Sequence, residues 1–211
     1  MKNSIRSIRF AAFVAIALAG TGVAALAGPI IDFTGGEVQL NAGDETYGYS
    51  FTVSGSGISL NGLGVFDSFS LPLQLSHDVG IWNSSGTLIV STTVSPGDTA
   101  VASTDALGQW REATISPLVL TPGTYYAGVY YNTGSENVLL GATPNGIPGV
   151  TYNSAQYDFN AYLTMPQSSW DTTLVGPALF VSGVPEPLTL SLFGAGLVGA
   201  AALRRRRKKS A

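Results

Sequence analysis

No cysteine occurs anywhere in the 211 residues. Disulfides, thiolate zinc sites and cysteine nucleophiles are thereby excluded, and any exported domain here must be held by its core. Histidine is nearly absent too: His77 stands alone. A Ser-His-Asp triad needs a carboxylate that orients the imidazole and a serine on its other nitrogen. Asp78 adjoins His77, but neighbours on a strand point to opposite faces, so His77 reads as a structural residue at a strand start. Cations are scarce between the chain ends. Of 10 Lys and Arg, three precede residue 28 and six follow residue 203, which leaves Arg111 alone against 12 of the 13 acids. Residues 28 to 183 therefore carry a net charge of −11. Such a surface favours solubility and cations and repels anionic lipid. Nucleic acid is excluded as a partner, because phosphate neutralisation needs Lys and Arg.

The ends of the chain are informative. Lys2, Arg6 and Arg9 form a positive n-region, Phe10 to Leu18 an apolar h-region, and Ala25-Leu26-Ala27 an A-x-A cleavage site before Gly28. A retained anchor is the alternative, but Gly20, Thr21 and Gly22 break the run, and the small Ala25 and Ala27 suit cleavage. The expected organisation is a signal peptide at 1–27, an ectodomain at 28–183 and a C-terminal segment at 184–211.

That last segment has three parts. Pro185-Glu186-Pro187 is a stiff, extended polar marker, because proline fixes φ and pushes the preceding residue out of helical geometry. Leu188 to Leu203 is an apolar run of 16 residues, broken only by Thr189 and Ser191. As a helix it reaches roughly 24 Å against a bilayer core of about 30 Å, a short span. Arg204, Arg205, Arg206, Arg207, Lys208 and Lys209 follow. Their stems extend the apolar length, and their charge biases that end to the cytoplasm. A buried helix of a soluble core is the alternative, and six adjacent cations have no place in one.

In order and spacing, this tail resembles the PEP-CTERM sorting signal of bacterial exported proteins. The resemblance covers about an eighth of the chain. It implies recognition by an exosortase, a multi-pass membrane transpeptidase, with removal of the tail near Pro-Glu-Pro after delivery by the export machinery. It also implies a Gram-negative host with an extracellular polysaccharide (biofilm) matrix, and a membrane anchor that is temporary.

The ectodomain reads as all-β. Short runs of β-branched and aromatic residues are punctuated by Gly, Asn, Ser and Pro, and no segment has a helical period. Tyr47, Tyr49, Phe51 and Val53 alternate with polar or small residues, the period of a half-buried strand. Gly62 and Gly64 predict a bulge within Ile58 to Phe66. Trp110 to Ile115 and Leu118 to Leu120 read as two strands. Asn83-Ser84-Ser85-Gly86 reads as a hairpin turn rather than a glycosylation site. Tyr125, Ala127, Val129 and Tyr131 share one face, opposite Tyr126 and Tyr130. About ten such strands predict an antiparallel, jelly-roll-like β-sandwich, flanked by an N-terminal signal helix and a C-terminal transmembrane helix. Tyr49 to Val53, Leu63 to Asp67, His77 to Trp82 and Leu120 to Tyr126 also resemble a bacterial family of extracellular β-sandwich modules of unknown function. That resemblance implies a fold and carries no catalytic residues.

Three chemistries are open to the ectodomain. Asn41, Asp44 and Glu45 fall in one short loop and could hold a structural calcium ion through oxygen ligands, with Asp67 and Asp78 near other strand ends. The competing reading is a solvated acidic surface. Trp82, Trp110, Tyr126 and Tyr130, with Trp170 also available, could stack on sugar rings, although aromatics in a cysteine-free sandwich usually belong to the core. Two acids could form a glycosidase pair if they meet in a cleft. The first expectation is a non-enzymatic structural or adhesive module of the cell surface or extracellular matrix. The second is a carbohydrate-binding module that takes exopolysaccharide, and the third is a secreted hydrolase.

Overall fold

The computed structural model describes residues 28–40, 43–132 and 137–181. The signal segment, Asn41 and the whole tail lie outside these residues. Every regular element described is a strand. In chain order they are β1 (Gly28–Pro29), β2 (Ile31–Thr34), β3 (Glu37–Leu40), β4 (Glu45–Val53), β5 (Ile58–Ser68) and β6 (His77–Asn83). There follow β7 (Leu88–Val94), β8 (Thr99–Ala102), β9 (Gly108–Leu120), β10 (Gly123–Tyr131) and β11 (Asn137–Leu140). The last are β12 (Thr143–Gly146), β13 (Val150–Phe159), β14 (Ser168–Trp170), β15 (Leu174–Val175) and β16 (Pro177–Val181).

Two sheets dominate. One has the order β1-β16-β5-β9-β8 and the other β14-β13-β4-β10-β6-β7. A three-stranded sheet, β15-β11-β3, and the pair β12-β2 complete the set. All pairings are antiparallel. The two large sheets share one apolar core: Tyr49, Phe51, Ile81 and Val129 from one meet Leu63, Val65, Trp110 and Phe180 from the other. Phe33 on β2 bridges the layers, with its ring 6.2 Å from Tyr49 and 6.3 Å from Trp110.

The expected bulge is present, since the β5–β9 register shifts between Leu60 and Gly62. At that shift the inward phase passes from Leu60 to Leu63 and Val65, all buried. The two strands expected at 110–120 are one. Pro117 sits where β9 steps from Thr114 to Leu118 against β5, a stretch with no ladder donor for it to remove.

β4 departs from the half-buried pattern, because its outward Thr46, Gly48 and Ser50 are buried too. The cause is a strap, residues 160–167, over the outer face. Beneath it Gly48, Gly128 and Gly80 stand side by side on three adjacent strands. A Cβ on Gly128 would meet Pro166 Cδ at 3.1 Å, and one on Gly80 would meet Leu163 Cδ2 at 3.1 Å. The absence of side chains lets the strap lie close to the sheet. Asp158 Oδ2 holds it by accepting from Asn160 Nδ2 (2.7 Å) and Thr164 Oγ1 (3.0 Å).

Two buried carboxylates tie the layers and loops together. Asp32 Oδ1 accepts from Trp110 Nε1 (3.0 Å) and Ser103 Oγ (2.8 Å), and Asp32 Oδ2 from the Thr104 N–H (2.6 Å). Asp67 accepts from the Leu73 N–H (2.8 Å), Gln109 Nε2 (3.1 Å) and Arg111 Nε (2.7 Å). The only arginine in the ectodomain is thus spent internally on an ion pair.

Candidate functional site

The rings expected to stack on sugars do not form a platform. Trp110 is fully buried and Trp82 is 4% exposed, so neither offers a face to a ligand. Trp110 packs on Phe33 and Phe66 in the core, and Trp82 lies with Leu163 over Gly80. Tyr125 and Tyr131 point into the core, as the alternation requires, while Tyr126 and Tyr130 are half-buried on the other face. Tyr130 donates its hydroxyl to Asp44 Oδ1 at 2.9 Å.

The acids of the proposed calcium loop part company. Asp44 is exposed beside Tyr130, whereas Glu45 is buried on the Tyr131 side of β4. Among the described residues no three of His, Cys, Asp and Glu gather as metal ligands do. Asn41, Ala25, Ala27, Pro185, Glu186, Pro187 and Arg204 to Lys209 lie outside those residues. His77 and Asp78 also diverge. His77 is buried and donates from Nδ1 to the Tyr130 carbonyl (3.0 Å), while Asp78 accepts from Thr93 Oγ1 (2.6 Å).

Two clefts of about 510 Å³ open on the described surface, so volume does not choose between them. One is lined by Gly36, Glu37, Gln39, Leu140, Gly141 and Thr172, with no aromatic ring. The other is lined by Glu45, Tyr47, Tyr157, Phe159, Ser169, Trp170 and Asp171. This second cleft lies at the β14 edge of the six-stranded sheet.

Strand register builds it. Glu45 and Tyr47 on β4 face Phe159 and Tyr157 on β13, and the edge strand β14 sets Trp170 opposite the small Ala155. With no bulk on Ala155, the indole leans over its diagonal neighbours. It stacks on Tyr47 (6.1 Å, 27°) and meets Tyr157 edge-on (5.5 Å, 61°). Tyr157 in turn packs on Phe159 at 5.2 Å. Inward, Tyr47 contacts Tyr131 at 5.9 Å, and Tyr131 contacts His77 at 4.7 Å. Six rings thus run from the buried core to the surface. They end in Trp170, 39% exposed, and Phe159, 66% exposed. A smaller groove, lined by Asn153 and Thr172 among others, also borders Trp170.

Glu45 sits at the root of the cleft. It is 4% exposed, and its Oε2 is buried with no hydrogen-bond partner among the described residues. Buried carboxylate oxygens are normally paired, and an unpaired one costs free energy that a ligand donor would restore. Rings with accessible faces, two carboxylates and an open groove suit a polyhydroxylated ligand that stacks and donates hydrogen bonds.

Sequence reasoning had Trp170 among the available rings and Glu45 as a metal ligand, and it missed Tyr157, Phe159 and Asp171. Ala155, Tyr157 and Phe159 recur at every second residue, so their period was a usable sign of strand and shared face.

Searches of curated proteins and of solved structures return no match to this chain. The likeness of residues 47–131 to a domain family gains no support from them. The tail does match a family model, the PEP-CTERM protein-sorting motif, over residues 183–207. The chain is therefore an exported protein that carries an all-β domain and a C-terminal PEP-CTERM sorting motif, the mark of an exosortase substrate.

Proposed function

We infer that the β-domain is a non-enzymatic adhesive module of the extracellular matrix, and that it adheres by holding a saccharide in the Trp170 cleft. The observation that carries this reading is the Trp170–Tyr157–Phe159 array, open to solvent at Trp170 and Phe159, beside the unpartnered Glu45 oxygen. Sugars present apolar ring faces and hydroxyl donors, which match these two features. The sorting motif supports this reading, because an exported domain can meet such ligands.

Binding of a panel of oligosaccharides by the full chain tests the reading, with Trp170→Ala as comparison and assay of the same mixtures for new reducing ends. Binding that disappears in the variant, without cleavage, supports an adhesive module. Cleavage would make the domain a hydrolase. Binding unaffected by Trp170→Ala would move the site elsewhere, and no binding to any sugar would leave a purely structural module.

A further inference from the structure

We propose that the unit recognised in this cleft is a sugar bearing a free, protonated amine, and that Glu45 reads it. The proposal rests on the saccharide reading above and narrows it. Glu45 lines the cleft, and its Oε2 is buried and unpartnered among the described residues. An ammonium would give that oxygen a charge-assisted hydrogen bond, stronger than a neutral hydroxyl gives. Asp171 lines the same cleft, and no Lys or Arg does. Arg111, the one Lys or Arg between residues 28 and 183, pairs with Asp67 at 2.7 Å and does not line the cleft. The cleft therefore concentrates cations. Trp170 and Tyr157 add ring faces that attract a cation beside them.

Other saccharides use less of this arrangement. A neutral sugar can stack on the rings and donate to either carboxylate, but it brings no charge to be attracted by them. A uronic or sulfated sugar meets repulsion from an ectodomain of net charge −11. N-acetylation removes the charge from an amino sugar and leaves the ring otherwise similar, so it isolates the feature in question.

The full chain, in a detergent without a sugar headgroup, is titrated with chito-oligosaccharides of one length, fully acetylated or fully deacetylated, at a pH where the free amines are protonated. The deacetylated form should bind at least about tenfold more tightly. Glu45→Gln should erase that preference and leave weak binding of the acetylated form. Asp171→Asn, an exposed site that keeps the test alive if Glu45→Gln fails to fold, should reduce it. Glu37→Gln, which removes the same charge outside the cleft, should leave it unchanged.

Equal, Trp170-dependent binding of both oligosaccharides would overturn the amine proposal and leave the saccharide reading standing. Loss of preference in Glu37→Gln as large as in Glu45→Gln would overturn it in favour of bulk charge. A lysine peptide that binds as tightly as the amino sugar would also overturn it. Failure of every sugar to bind would remove both readings.

Discussion

Trp170 stacks on Tyr47 with 6.1 Å between ring centroids and 27° between planes, at the point where the buried aromatic run reaches solvent. Tyr47 is part of the core, and Trp170 lies on an edge strand. The indole is therefore fixed from beneath and open above. A rigid ring loses little conformational entropy when a ligand settles on it. Trp170→Ala should abolish saccharide binding and lower stability by only about 1 kcal/mol, since the ring is partly solvated and packs at an edge. Parallel binding and thermal-unfolding measurements check both parts. A collapse of the fold in this variant would mean that Trp170 is core, not surface.

Asp32 and Trp110 make the opposite case. Asp32→Ala leaves the buried Trp110 indole N–H, and on the adjoining loop the Ser103 hydroxyl and the Thr104 N–H, without their acceptor. The expected loss is about 2–3 kcal/mol, chiefly from the one fully buried donor, the Trp110 indole N–H. Urea unfolding should show the midpoint fall with the slope retained. Trp110→Phe in the same background should cost less than it does alone, because the indole donor has already lost its acceptor.

Asp67 confers a pH dependence of known sign. Burial by itself would raise its pKa, but the Leu73 N–H, Gln109 and Arg111 together hold it below the usual carboxylate value. The unfolded chain therefore binds a proton on Asp67 more readily than the folded one does. The stabilisation is complete above the unfolded value of about 3.9 and is lost as pH falls through the lower folded value. Asp67→Asn should flatten the stability curve in that acidic window and leave its shape near neutrality unchanged. Unfolding midpoints measured across the acid range decide this; an unaltered acid limb would contradict it.

The sorting motif predicts the fate of the tail. Replacing Pro185, Glu186 and Pro187 by alanine should leave the tail attached and the chain in the membrane fraction of its own host. The native chain should lose the tail. Intact mass after fractionation reads both. A native chain that keeps its tail in the membrane would mean that the motif is not processed.

The legible parts of the fold were those fixed by local pattern. Alternation in Tyr125 to Tyr131 gave the inward face of β10, and the pair Gly62 and Gly64 gave the bulge in β5. The missed parts depend on what lies across the sheet. Nothing local to Gly48, Gly80 or Gly128 announces that register brings them side by side beneath a strap. The same holds for the site. Trp82 and Trp170 look alike as letters, and only the strap over one and the sheet edge beneath the other separate buried ring from exposed ring. Glu45 was visible as an acid beside Asp44, but its separation from Asp44 and its meeting with Trp170 are products of strand pairing.

The most direct test uses the three tryptophans as separate reporters. Indole N–H resonances of the ¹⁵N-labelled chain, assigned by single Trp→Phe variants, are followed as a saccharide bound in the panel above is added. The account predicts that the Trp170 signal shifts and saturates with the binding curve while those of Trp82 and Trp110 stay in place. A saturating titration in which Trp170 does not move would contradict it.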